Sequence, residues 1–188
     1  FTATSGPGLS LMAESISMAA VAEIPVVIID VMRAGPSTGM ATKVEQSDIR
    51  YAVGSGHGDA EKIVLAAASI EDCYYIVQEA FNLAEEYQTP VIVLSDLQFG
   101  MCKQSVPAFD RNRIGIRRGK LVTEGLSELD MKTKSYFHRF EDTEDGISPR
   151  TIPGVKNGMF LSTGLEHNVF GKPAEGQGDR VMEMEKPH

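Results

Sequence analysis

The sequence predicts an α/β chain: a Rossmann-like three-layer parallel sheet over residues 1–100, followed over 101–188 by a β-rich, hairpin-rich arm. Two unbroken apolar runs, "PVVIIDV" and "PVIVLSD", are strands of the kind buried on both faces of a parallel sheet. Helical patterns of roughly 10–20 residues separate the strands, and only crossover βαβ units accommodate that alternation. Beyond about Gln98 the helical periodicity stops, and Gly, Pro, Asp and Arg punctuate short β-prone pieces.

Taken in order, "FTAT" is a short strand and "SGPG" a turn. "LSLMAESISMAAVAE" places Leu9, Met12, Ile16, Ala19 and Ala20 on one helical face. "PVVIIDV" follows as a strand, then the loop "RAGPSTG", a weaker helix in "KVEQSDIRYAV" and the loop "GSGHGD". "KIVLAA" is the third strand. Ser69, with Asp72 three residues on, makes a capping-box-like start for a helix whose apolar side carries Cys73, Ile76, Val77, Ala80, Phe81 and Ala84. "PVIVLSD" closes the series as a fourth strand. In the second part "KLVTE", "YFHRFE", "MFLSTG" and "VMEME" read as β-prone pieces without a core of their own, a segment that packs on a partner, the alternative being a disordered tail.

Composition narrows the function classes. The 188 residues are 42% hydrophobic and 23% charged, which suits a globular chain with one sizeable core. A net charge of −8 without a basic run argues against nucleic acid or an anionic membrane as partner. Cys73 and Cys102 have neither CxxC nor Cys/His spacing, so no disulfide framework, zinc site or iron-sulfur site is written here, and a cytoplasmic setting is expected. No apolar run reaches the roughly 18–20 residues that span a bilayer. The chain opens at Phe1 without an initiator methionine, in what reads as mid-strand, so it is expected to be a piece of something larger.

Ligands of open parallel sheets collect where strand carboxyl ends run into helices. The loops available are "TSGPG", "RAGPSTG", "GSGHGD" and "SDLQFG", and none is a Walker A loop or a GxGxxG fingerprint. Arg33 stands out: a permanent guanidinium at a strand end facing a loop rich in backbone donors suits a small carboxylate. The alternative is a structural pair with Asp30 or another local carboxylate. Ser37, Thr38 and Thr42 offer hydroxyls to the same ligand, or serve as caps and turn formers. His57, between glycines, is either a proton-transfer group or an exposed loop residue. Glu14, Glu45 and Asp48 read as solvated faces or caps.

Across "FTATSGPGLSLMAESISMA", "IPVVIIDVMRAGPSTGMATKVEQSD", "GHGD", "EDCYYIVQEAFNLAEEYQTPVIVLSD" and "DGISPRTIPG…LSTGLEHN", the chain resembles the alpha subunit of 2-oxoacid:ferredoxin oxidoreductases, most closely the 2-oxoglutarate type. The match runs nearly end to end with its motifs in order. It implies that the first part belongs to the pyrimidine-binding domain of a thiamine diphosphate enzyme, and that the remainder leads to a following domain. By this resemblance Arg33 binds the 2-oxoacid carboxylate and Thr42 lies close to substrate and cofactor. Gly35, Ser37, Thr38 and Gly39 shape the loop around them, and the turn Ser5, Gly6, Pro7, Gly8 lines the pyrimidine side of the cofactor. Ala34 stands where the family usually has glycine. The family's Y-P-I-T-P segment and the glutamate that activates the cofactor are not in this chain, so the chain by itself is expected to be inactive.

The implied reaction is oxidative decarboxylation of 2-oxoglutarate or a related 2-oxoacid to acyl-CoA, with electrons passed to ferredoxin. No metal ligands or G-D-G…N pattern occur here, so Mg²⁺, the diphosphate site and iron-sulfur clusters are expected on a beta subunit, in a homodimer or hetero-oligomer. The alternatives are another thiamine-dependent lyase of acetolactate-synthase-like type, which can share TSGPG, and a non-catalytic assembly module.

Overall fold

The computed structural model describes residues 1–124 and 137–184. These form two compact units, Phe1–Arg117 and Arg118–His188. The first holds a four-stranded sheet, β1 (Thr2–Thr4), β2 (Val26–Met32), β3 (Ile63–Ala66) and β4 (Pro90–Asp96), in the order β1-β2-β4-β3. Every pairing is parallel, with Ile28 opposite both Thr2 and Ile92, and Asp30 opposite both Thr4 and Leu94.

Period-two alternation along β2 and β4 sorts their side chains into two cores. Ile28, Met32, Ile92 and Leu94 pack with Leu9, Ile16 and Ala52 on one face. Val27, Val91 and Val93 pack with Ala80 and Ala84 on the other. Helices therefore cover both sides, giving the expected three layers. On the first face lie α1 (Pro7–Ser10), α2 (Ala13–Val21) and α3 (Ile49–Gly54); α4 (Ile70–Tyr87) covers the second.

The Ser69 cap forms: its Oγ accepts from the Asp72 N–H at 3.0 Å, while Asp72 Oδ2 accepts from the Ala68 N–H at 2.8 Å. Phe81, placed on the core side of this helix by periodicity, is instead 41% exposed and meets Phe1 edge-on, with ring centroids 6.2 Å apart. Three further boundaries differ. The helix expected from Leu9 onward is broken by a turn at Leu11 and Met12, because the Pro7 start spends a separate short helix before α2 begins. "KVEQS" is not helical, and only Ile49–Gly54 of that segment coils. After β4 a short α5 (Leu97–Met101) is capped by Asp96 Oδ1, which accepts from the Phe99 N–H at 3.1 Å.

The expected junction at residue 100 falls inside the first unit, since the chain runs back along α4. Asp110 N–H donates to Tyr75 Oη, and Phe109 stacks on Tyr74 at 4.1 Å between centroids. The Asn82 side chain takes both the Gly115 carbonyl and the Arg117 N–H. Arg117 then pairs with Glu79 and Glu86, and its hydrogen bonds hold the Glu79 carboxyl below the usual range.

The second unit has little regular structure. Its described strands are β5 (Leu121–Val122) and β6 (Arg150–Thr151), which pair in parallel, with one antiparallel bridge between His167 and Pro173. The hairpin-rich expectation is corrected here: among the described residues "YFHRFE" and "MFLSTG" contribute no strand, and "VMEM" lies in helix α6 (Gln177–Met184). Part of "YFHRFE" lies outside the described residues. Short loops are held by side chains instead. Ser148 Oγ donates to the Glu141 carbonyl, Thr151 Oγ1 donates to the Gly158 carbonyl, and Lys120 pairs with Asp145 at 2.5 Å. That lysine and the Thr143 hydroxyl lower the Asp145 carboxyl to about 2. No helix among the described residues is long and apolar enough to cross a membrane.

Candidate functional site

At the carboxyl end of β2 the first unit forms a half-open cavity of about 230 Å³. Its walls come from the turn after β1 (Gly6, Pro7, Ser10), the strand end and following loop (Arg33 to Ser37), and the entry to α3 (Ser47, Asp48, Tyr51). Three backbone features build it. Gly6 takes φ +57°, and a Cβ there would stand 2.8 Å from Arg33 Nε, so a residue without a side chain is what lets the arginine lie across the turn. The loop after Arg33 folds back on itself: Ala34 N–H donates to the Lys43 carbonyl and Met40 N–H to the Ala34 carbonyl, both at 3.1 Å. Gly39, at φ +55°, sits so close to the Ala34 carbonyl that any Cβ would collide with it at 1.9 Å.

The return of the chain brings Ser47 and Asp48 beside the strand end. Asp48 Oδ2 accepts from the Arg33 N–H and Ser47 Oγ from the Gly35 N–H, each at 3.2 Å. Tyr51 Oη donates to the Ser10 carbonyl at 3.4 Å and spans the cavity's other side. Asp48 precedes α3 as its N-cap residue, yet its carboxylate is committed to the strand end and makes no cap bond.

Two buried groups here lack hydrogen-bond partners. Arg33 Nε is one; both carboxyl oxygens of Asp30 are the other. Asp30 is fully buried, on the same face of β2 as Ile28 and Met32. Burial pushes its carboxyl up to about 7; the nearby Asp48 charge adds to the rise, and the Gly6 amide and the Arg33 charge oppose it. The sequence alternative in which Asp30 and Arg33 form a structural pair is not what the side chains do: no hydrogen bond joins them.

Of the residues singled out from sequence, Arg33, Gly6, Pro7, Gly35 and Ser37 meet around this cavity. Ser5, Gly8, Thr38, Gly39 and Thr42 do not line it. Gly8 packs against β1, where a Cβ would meet Thr4 Oγ1 at 1.9 Å, and Ser5 accepts the Gly8 N–H. Thr38 and Thr42 are exposed on the folded-back loop, with Thr42 at φ +60°. His57 is exposed, its N–H donating to Ser17 Oγ at 2.6 Å. Ser10, Ser47, Tyr51 and, as more than a pairing partner, Asp30 were not anticipated. For Asp30 a signal existed: a carboxylate inside an otherwise apolar strand must be either paired or neutral.

The arrangement is a small pocket of mixed polarity with one guanidinium that is not committed to a carboxylate. Its volume is below the roughly 300–1,000 Å³ that buries a drug-sized ligand, and suits the charged end of a small molecule. Among the described residues no three His, Cys, Asp or Glu side chains gather in a way that could hold a metal ion. Gly6→Ala puts a methyl group against Arg33 and forces a left-handed alanine. It is expected to cost about 1–2 kcal/mol in stability and to weaken binding of a carboxylate ligand several-fold, measured by denaturant unfolding and titration of the intact protein.

Residues 1–186 match the family model described as pyruvate flavodoxin/ferredoxin oxidoreductase, thiamine diphosphate-binding. Curated relatives include the alpha subunit of 2-oxoacid:ferredoxin oxidoreductase 2 from Aeropyrum pernix, 46% identical across 98% of this chain and 28% of that protein. The 2-oxoglutarate synthase subunit KorA of Archaeoglobus fulgidus is 54% identical across 93% of this chain and 56% of its own length. Among solved structures, a 2-oxoglutarate:ferredoxin oxidoreductase from Magnetococcus marinus, with 2-oxoglutarate, coenzyme A and succinyl-CoA bound, superposes with a TM-score of 0.88. That match has 40% identity and covers 98% of this chain and 31% of the other. The chain thus spans about a quarter to a half of the length of these relatives. With the parallel sheet, the crossover order and the loops at the β2 end all in agreement, the chain belongs to the thiamine diphosphate-binding family of pyruvate flavodoxin/ferredoxin oxidoreductases.

Proposed function

We propose that this chain is part of the alpha subunit of a 2-oxoacid:ferredoxin oxidoreductase, and that Arg33 receives the carboxylate of 2-oxoglutarate or a related 2-oxoacid. The observation that carries this reading is the Arg33 side chain, whose buried Nε has no hydrogen-bond partner while its backbone N–H is anchored by Asp48. An unsatisfied buried donor of a charged group is costly, and a carboxylate settling on it through parallel hydrogen bonds removes the cost. The backbone anchor holds the strand end still, so the guanidinium is oriented before the ligand arrives.

The residues present fit one flank of thiamine diphosphate. The turn Ser5 to Gly8 offers small residues for close approach, and the missing Cβ of Gly6 gives its space to the Arg33 side chain, which lies beside that flank. Thiamine diphosphate supplies the nucleophile and electron sink for decarboxylating a 2-oxoacid. This chain's contribution is to bind and orient the acid. Thr42, on the loop that also carries Ser37, Thr38 and Gly39, is assigned a role in orienting the acid by the resemblance to the family alone.

In the complete reaction the 2-oxoacid loses CO₂, coenzyme A takes the acyl group, and the released electron pair reduces ferredoxin. The partner in this reading is a beta subunit carrying Mg²⁺, the diphosphate site and the iron-sulfur chemistry, as the resemblance to the family implies. The test is reduction of a viologen dye by the intact protein with its partner subunit, dependent on both 2-oxoglutarate and coenzyme A. Reduction that requires both supports the reading. No reduction with any 2-oxoacid overturns it.

A further inference from the structure

We propose that Asp30, enclosed behind this pocket, is a positioning residue: a buried carboxyl whose protonation frees the Arg33 guanidinium for an incoming carboxylate, so that the acid and a proton bind together. This rests on the reading of Arg33 given above.

The geometry supplies the reason. Asp30 lies in β2, three residues before Arg33, which follows the end of that strand; it is wholly enclosed, and no side chain hydrogen-bonds either of its oxygens. An ionised carboxylate in that state would draw the guanidinium onto itself, and the pair would be electrically spent before a ligand came. A neutral carboxyl does not compete. The groups that face it decide which form prevails. From just beyond β2 it meets the Arg33 charge, from the turn before α1 the Gly6 amide, and from the start of α3 the Asp48 carboxylate. Its neighbours in register, Thr4 on β1 and Leu94 on β4, carry no charge. Asp96, at the end of β4, is occupied in capping α5. Burial and Asp48 already hold the carboxyl near neutral pH. A ligand carboxylate on Arg33 cancels the one positive charge in the group and adds a negative one, and both changes favour the protonated form. Binding of the acid and binding of a proton are thereby linked.

The experiment is isothermal titration of the intact protein with glutarate, a dicarboxylate that has no keto group to react, at pH 6 to 8.5 in buffers of different ionisation enthalpy. Wild type should take up a fraction of a proton per glutarate near pH 7, and its affinity should fall roughly three- to tenfold per pH unit above that. Asp30→Asn should bind glutarate about as tightly as wild type does at pH 6, with no proton uptake and a flat pH profile. Asp30→Ser, a smaller neutral replacement, should also abolish the uptake and serves if the asparagine fails to fold. Glutarate binding without proton uptake in wild type, or a pH profile unchanged by either substitution, overturns the role of Asp30 and leaves Arg33 standing. Binding that survives Arg33→Met undiminished overturns the Arg33 reading itself, and the linkage with it.

Discussion

Arg33→Met should lower kcat/KM for 2-oxoglutarate roughly 30- to 1,000-fold, corresponding to about 2–4 kcal/mol of lost transition-state binding, in the viologen assay of the assembled enzyme. Methionine keeps most of the length and apolar stem of the side chain, so the cavity wall beside Gly6 is retained while the charge and the fork of donors go. The anchor to Asp48 is made by the backbone N–H and survives the change. The loss therefore falls on ligand binding and orientation, not on folding. Arg33→Lys should recover part of the activity but not all of it, because an ammonium restores the charge without the parallel pair of hydrogen bonds. A merely structural arginine would give the opposite order: unchanged kinetics in any variant that still assembles. That result would move the chain toward an assembly role.

Much of the frame was legible because it depends on strong local signals. The runs at Val26–Met32 and Pro90–Asp96 are apolar at nearly every position, which only a strand covered on both faces explains, and both are strands. Ser69 and Asp72 announced a helix start through chemistry confined to four residues. Arg33 was legible as a candidate because a lone charge at the end of such a strand has few uses. What was hidden depends on contacts distant in sequence. Ser47, Asp48 and Tyr51 reach the cavity only because residues 34–43 fold back through the Ala34 and Lys43 backbone, which no periodicity encodes. The same return carries Thr38 and Thr42 to the exposed side of the loop, away from the lining their sequence position implied. In the second unit the β-prone composition of "VMEM" lost to an amphipathic helical spacing, as short segments decided by their surroundings often do.

Asp30 should make the protein less stable as pH rises, an unusual sign for an aspartate. The common case is a paired carboxylate whose folded-state value lies below its unfolded one, giving stability that is lost in acid. Here the folded value is raised from 3.8 to about 7 by burial, so between about pH 4 and pH 7 the native chain holds a proton that the unfolded chain has released. Stability from this group declines across that window and levels off above it, by about 3–5 kcal/mol in total. Asp30→Asn carries no charge at any pH and removes the decline. Relative to wild type, the variant should be close to neutral or slightly destabilised at pH 4, where its amide is no better satisfied than the acid. At pH 8 it should be more stable by several kcal/mol. Denaturant unfolding of the intact subunit at both pH values measures the difference, and equal pH dependence in the two proteins would show that the carboxyl is not buried as described. A valine or isoleucine at this strand position would complete the apolar face at no electrostatic cost. A residue that lowers stability at neutral pH, set within the field of two residues that line the pocket, Arg33 and Asp48, has its physical rationale in what the pocket binds and not in what holds the sheet together.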